Sequence, residues 1–140
     1  MADKLQVEIV TLSRAVFSGA ASEVSVPGYK GELGILPDHR ALVTMLEPGL
    51  VRIVDSDRPR LFAVSTGFAE IMNNRVTLLV RTCEGADELD AARARAALAD
   101  AEKKLGSTGD VTPEMADEER ARVMRARARL TVIERATGGK

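Results

Sequence analysis

One cysteine and one histidine, Cys83 and His39, are all that the 140 residues contain of either type. A single thiol cannot form an internal disulfide, which points to a reducing compartment. One thiol and one histidine cannot assemble a zinc site of the usual four-ligand kinds. Long apolar runs are missing too. No window approaches the roughly 18 apolar residues of a membrane-spanning helix. The first ten residues, MADKLQVEIV, carry Asp3 and no apolar stretch of signal-peptide length. Any link to a membrane is therefore expected to run through a partner. Excess charge of one sign is also lacking. The formal net charge is −1, so bulk electrostatics give nucleic acid no reason to bind. The aromatics are few, and Phe17, Tyr29, Phe62 and Phe68 all precede residue 70. They read as core, not as a stacking platform for bases. No phosphate-cradling glycine loop and no glycine-rich strand-to-helix unit appears, which excludes the common dinucleotide fold.

What is present divides into two halves. Hydrophobic content of 45% and charged content of 29% are those of a soluble globular chain, long enough to bury a core without staples. Residues 1–86 alternate on a strand period. Leu5, Val7 and Ile9 share one face. Val24 and Val26 alternate with serines before Pro27-Gly28. Leu50–Val54 is followed by a turn over Asp55–Pro59, which includes Asp57. Leu61–Ser65, Phe68–Met72 and Val76–Val80 follow, separated by Thr66-Gly67 and Asn73-Asn74. Short strands at this spacing predict an antiparallel β-sandwich or barrel. A boundary falls near Gly85–Asp87.

Residues 87–140 switch to a helical period. Asp87 is the expected N-cap, with Asp90 three positions on. Ala91, Ala94, Leu98, Ala101 and Leu105 form a narrow stripe. Gly106 and Gly109 end that helix. Thr112 caps the next, with Pro113 at its first position. Its stripe runs through Ala116, Val123, Ala126, Leu130 and Ile133. The short connection predicts an antiparallel hairpin. Alanine buries little area, so at about 25 cal/mol per Å² the seam is weak and the hairpin loosely held. Arg120, Arg122, Arg125, Arg127, Arg129 and Arg135 crowd the second helix after the acids Glu114, Asp117, Glu118 and Glu119. Acid first and base last suits the helix dipole. Exclusive use of arginine further suggests a face that grips carboxylates or phosphates.

Catalysis finds no support in the residues. No nucleophile motif surrounds His39, and the acids beside Arg58 and Pro59 sit where turns favour them. The stretch GELGILPDH, Gly31 to His39, reads as a loop between two strands. Gly31 and Gly34 would allow unusual backbone angles there, and its apolar residues would fold inward. Taken in order, VPGYKGELGILPDHRALVTMLEPGLVRI, STGFAEIMNNRVTLLV, ELDAARARAALADAEKKL and ARLTVIERA resemble the epsilon subunit of F-type ATP synthases, the counterpart of the mitochondrial delta subunit. The resemblance runs from about Leu5 to Ala136. It implies a ten-stranded antiparallel β-sandwich in two sheets followed by two antiparallel helices. It implies a non-catalytic rotor subunit at the foot of the central stalk, bound to the gamma subunit and the c-ring on the cytoplasmic face of a bacterial plasma membrane. The loop with Glu32, Gly34, Pro37 and His39 would then meet the c-ring or gamma.

In many bacterial members of the family the helix pair switches between a state folded against the sandwich and one extended toward the alpha/beta catalytic head, which inhibits ATP hydrolysis. That implies contact of Arg120, Arg122 and Arg127 with acidic residues of the beta subunits. Some members also bind regulatory ATP through an aliphatic-Asp-x-x-Arg-Ala signature. Leu89, Asp90, Arg93 and Ala94 match it, with Glu84, Arg125 and Arg129 at the other implied positions. A hairpin centred near Gly109 would set Arg125 across from Arg93 and Arg129 across from Leu89. Asp100 stands where the ATP-binding members carry a further arginine, and its carboxylate opposes a phosphate. Two other readings compete: a free-standing nucleotide sensor, and an enzyme using His39 with nearby carboxylates.

Overall fold

The computed structural model describes residues 3–56, 58–106 and 112–137. Asp57 and Gly109, assigned above to turns, lie outside them. Ten strands come first: β1 (Leu5–Val10), β2 (Ala15–Ala21), β3 (Glu23–Gly28), β4 (Gly31–Ile35), β5 (Leu42–Leu46), β6 (Gly49–Asp55), β7 (Arg58–Val64), β8 (Gly67–Met72), β9 (Arg75–Val80) and β10 (Cys83–Glu84). A 3₁₀ turn at Ala86–Glu88 leads to α1 (Ala91–Leu105) and α2 (Pro113–Thr137).

Hydrogen bonding links the strands in the order β10-β7-β6-β3-β5-β8-β9-β1-β2, with β4 on β3. The link between β3 and β5 is a single register pair, Gly28 with Leu46. That narrow seam lets the sheet fold over into two layers. The residues between the layers are the apolar sets of the alternating strands: Val7, Ile9, Val24, Val26, Ile35, Ile71, Val76 and Leu78, each at most 1% exposed. The antiparallel expectation has one exception. β1 pairs with β9 in parallel, from Gln6 with Arg75 to Val10 with Leu79. The pair lies between strands far apart in sequence, so no tight hairpin dictates its direction.

The GELGILPDH stretch is mostly strand. Gly31–Ile35 forms β4, paired along its length with β3. Gly31 has φ of 124°, a conformation that other residues adopt only with strain. Gly34 has no such angle, and its Cβ position is open; glycine is not required there by the backbone. Ile35 is buried, Leu33 half-buried and Leu36 57% exposed, so only part of the apolar set folds inward. Tyr29 and Phe68 also depart from expectation. They are 52% and 51% exposed.

The N-cap of α1 is Asp90, not Asp87. Its side chain accepts from the Arg93 N–H at 3.2 Å. Asp87 is absorbed into the 3₁₀ turn, where Glu88 reaches back to the Gly85 N–H at 3.2 Å. Leu89 stays extended and packs against the buried cluster of Ala63, Ala128 and Val132. At the other helix, Thr112 Oγ1 accepts from the Met115 N–H at 3.2 Å, and Pro113 opens α2.

α1 packs on α2 through buried Ala94 and Ala101, which meet a face holding Val123 and Ala126. α2 has a second buried side that a one-stripe pattern hides. Ala128 and Val132, one turn apart, sit on Ala63 of β7. The sheet therefore fixes the height of α2. The interhelical ion pairs lie beyond the register expected from a hairpin centred on residue 109, which would set position 100 across from 118 and 102 across from 116: Asp100 meets Arg122 and Glu102 meets Arg127.

Candidate functional site

Four features of the surface carry chemistry. The first is the turn after β4. Glu32 is held in place from beneath, accepting from the Ser25 hydroxyl of β3 at 2.7 Å. Ser25 is 8% exposed, so the carboxylate is anchored rather than freely solvated. Asp38 has φ of 67° and is clasped by Asn74 of the β8–β9 turn. The Asp38 N–H donates to Asn74 Oδ1 at 2.6 Å, and Asn74 Nδ2 donates to Asp38 Oδ1 at 3.2 Å. His39 Nδ1 lies 2.7 Å from the Arg40 carbonyl, and the His39 N–H donates to the Leu36 carbonyl at 3.2 Å. Pro37 and His39 are half-buried; Glu32 and Gly34 are exposed.

The second feature is an apolar face. Register places Met45 beside Phe68, Phe68 beside Leu79, and Leu79 beside Val10, across β5, β8, β9 and β1. Met45, Phe68 and Leu79 are 56%, 51% and 53% exposed. Val43 and Met72 on the same outward side are also exposed. Single exposed apolar residues are ordinary, whereas a contiguous row marks an interaction surface.

The third is a pocket of about 260 Å³ between α1, α2 and the end of β10. Glu84, Leu89, Asp90, Arg93 and Arg129 line it together with Glu88, Ala94 and Ala97. Arg125 is not in this lining. Arg129, not Arg125, is therefore the α2 arginine that joins Arg93. Arg129 Nε already donates to Glu84 at 2.8 Å. Among the described residues Arg125 has no ion-pair partner. Its burial, and then the like charges of Arg129 and Arg122, push its guanidinium below the ordinary arginine pKa.

The fourth is the remaining arginine face of α2. Arg120 pairs with Asp117 of the same helix. Arg122 pairs with Glu119 and with Asp100 of α1 at 2.9 and 3.1 Å. Arg127 reaches Glu102 of α1 at 3.2 Å. Hydrogen bonds from Lys104, then Arg122, hold the Asp100 carboxyl below its usual range.

The beta-sandwich domain of the ATP synthase delta/epsilon chain matches residues 4–86. An ATP synthase epsilon chain of Desulforamulus reducens is 44% identical over 109 residues, 78% of this chain and 83% of that one. One from an Anaeromyxobacter species is 40% identical over 131 residues, 94% of this chain and 98% of that one. The chain belongs to the ATP synthase epsilon-chain family. It is a non-catalytic stalk subunit of F-type ATP synthase. Among solved structures, a chain of the Euglena gracilis mitochondrial ATP synthase OSCP/F1/c-ring assembly shares the fold. Its TM-score is 0.71 at 17% identity, covering 99% of this chain and 82% of that one.

For this epsilon-family chain, residue patterning singled out the arginines of α2 and the family resemblance pointed to the pocket residues and to the Gly31–His39 segment, but neither showed the apolar face. Met45, Phe68 and Leu79 belong to strands whose other side is core. The signal was present in LVTML, where apolar residues occupy both alternating sets. Assigning every aromatic to the core concealed it.

Proposed function

We propose that this chain couples rotation to synthesis by docking its sandwich, residues 1–86, on the gamma subunit and the c-ring. The helices, residues 87–140, restrain ATP hydrolysis by the alpha/beta head. The observation that carries the docking is the exposed row Met45–Phe68–Leu79. It has the apolar character of an interface core. The helical hairpin leaves it open, because α2 lies on β6 and β7 instead. The row is assigned to gamma. The anchored Glu32 and the turn through Gly34, Pro37 and His39 form a neighbouring polar contact for the c-ring or gamma. Docked in this way, the chain would sit peripherally, and we assign it to the cytoplasmic face of a bacterial plasma membrane. No helix among the described residues is long and apolar enough to cross one.

The test is binding to gamma and proton-coupled ATP synthesis in a reconstituted complex. Phe68→Asp with Leu79→Asp is expected to weaken binding by about tenfold or more, as loss of a buried hot spot does. Both side chains point outward, so the fold should persist. Unchanged affinity would remove the row from the interface.

For inhibition, Arg120, Arg122 and Arg127 are assigned to acidic residues on the beta subunits. Full-length chain added to an epsilon-depleted head should slow hydrolysis, and changing the three arginines to glutamine should abolish the effect. The pocket between α1, α2 and β10 is assigned to regulatory ATP, which no step of coupling requires. Glu84, Leu89, Asp90, Arg93 and Arg129 support that reading, and Arg125 borders the site. The Arg129–Glu84 pair must open for a phosphate to enter, so binding is expected to be weak. Calorimetry with ATP is the check, and no heat of binding at millimolar ATP would remove the assignment.

A further inference from the structure

One carboxylate interrupts the apolar face. Glu70 of β8 is exposed on the same outward side as Phe68 and Met72, two residues before and after it. Register sets Val43 of β5 and Thr77 of β9 directly opposite it. Met45 and Leu79 lie on the diagonals of those pairings, within reach of long side chains. Val43, Met45, Phe68, Met72 and Leu79 are each half or more exposed. Glu70 is therefore set inside the patch, among its apolar side chains. Among the described residues it makes no ion pair and no side-chain hydrogen bond. Arg75 of β9, on a further diagonal, is a cation of the same face, but it is already engaged 3.2 Å from Glu8 of β1.

A lone charge in such a place is tolerated while water covers it. Once a partner seals the apolar side chains around it, the carboxylate loses that water, and an unmatched buried charge is strongly unfavourable. We propose that Glu70 receives a lysine or arginine side chain of gamma, as a charged pair at the centre of the docking face. The inference rests on the row being the gamma surface, as proposed above. The surrounding apolar side chains shut water away from the pair, the arrangement found at interface hot spots. The pair also supplies what the row lacks. Apolar burial is non-directional, so Met45, Phe68 and Leu79 alone accept a partner in several orientations. A cation that must land on Glu70 selects one, because every other orientation buries both charges unpaired.

The test is the affinity of the full chain for an epsilon-depleted head that retains gamma, read by surface plasmon resonance at physiological salt. Glu70→Leu decides it, because the two possible surfaces opposite predict opposite signs. Against an uncharged surface, leucine completes the apolar patch and binding tightens. Against a cation, leucine leaves that charge unpaired, and binding weakens by about tenfold or more, mainly through faster dissociation. Glu70→Lys should weaken it further, by like-charge repulsion. Glu23→Gln, which removes one charge from β3 in the other layer, should bind as the unaltered chain does. Glu70 makes no bond within the chain, so the urea midpoint of each Glu70 variant should stay close to that of the unaltered chain. Equal or tighter binding by Glu70→Leu overturns the proposal. So does an equal loss in Arg75→Gln, which would make this chain's own arginine the counter-charge. A failure of the docking reading looks different: Phe68→Asp with Leu79→Asp would then leave affinity unchanged too. Loss of binding in that double variant with none in Glu70→Leu defeats this proposal alone.

Discussion

The sandwich and the hairpin are built from different materials. Between the sandwich layers lie Ile9, Ile35, Ile53, Ile71 and Leu78, with six valines among the other fully buried side chains. Between the helices the buried residues are Ala94, Ala101, Ala126 and Val123. Burying a branched side chain contributes about 1.5–3 kcal/mol, whereas an alanine methyl contributes only about one carbon's worth, ~0.8 kcal/mol. What the hairpin lacks in apolar area it replaces with exposed ion pairs, which are weak and screened by salt. One region is an anchor that holds its shape. The other is attached by many small terms and is free to change partners.

The largest expected effect tests the anchor. Ile71→Ala should cost about 2–5 kcal/mol of unfolding free energy, because the surrounding strands cannot collapse into the space left. Urea denaturation followed by circular dichroism measures it. Ala101→Gly in α1 should cost only about 1 kcal/mol, mainly through backbone entropy. Similar costs at the two sites would break the contrast.

A middle-sized effect sharpens the attachment. Val132→Ala leaves the α1–α2 seam untouched but thins the contact of α2 with Ala63. We expect a loss of roughly 1–2 kcal/mol, seen as faster amide exchange across both helices with sandwich protection unchanged. Slower protection loss in α2 than in α1 would mean the helices separate from each other before leaving the sheet.

How much of this was legible varied with the kind of order involved. Strands with one buried face announced themselves by alternation: β1, β6, β8 and β9 could be read from Leu5-Val7-Ile9 and its counterparts. β2 was hidden by Gly19 and its alanines, β4 by Gly31 and Gly34, and β5 by apolar residues on both faces. The parallel pairing of β1 with β9 is a tertiary choice that no local signal records. At the site, residue types were legible and register was not. Arg93 and both α2 arginines were found, but which of them meets Arg93 depends on where Ala128 and Val132 seat on the sheet. The cap of α1 failed for a similar reason. Asp87 has the right chemistry, but packing of Leu89 delays the helix until Asp90.

A smaller effect concerns the ionic half of the hairpin. Lys104 and Arg122 hold the Asp100 carboxyl below its ordinary pKa of 3.8. A carboxyl whose folded pKa is depressed contributes stability above the unfolded value and loses it as pH falls through the folded one. Acidification below about pH 4 should therefore loosen the hairpin before the sandwich. Raising salt at pH 7 should loosen it as well, by screening. Amide exchange over residues 91–105 reads both. An effect of acid that persists in Asp100→Asn would show that Asp100 does not carry it.

The smallest effect at neutral pH lies where the two regions join. Cys83 of β10 pairs with Val64 of β7 and is 4% exposed. Burial, with Glu88 adding to it, pushes the thiol from 9.0 up to about 12. A neutral thiol is a poor nucleophile, so the native chain should resist Ellman's reagent at pH 8 and react promptly in urea. The linkage has the opposite sign to that of Asp100. The folded pKa is raised, so the contribution is intact below pH 9.0 and is lost as pH climbs toward about 12. Cys83→Ala should flatten that alkaline decline while leaving stability at pH 7 nearly unchanged. Rapid labelling of the native thiol at pH 8 would mean that β10 opens on its own. The hinge between anchor and hairpin would then lie before Cys83, inside the sheet, and not at the 3₁₀ turn that follows it.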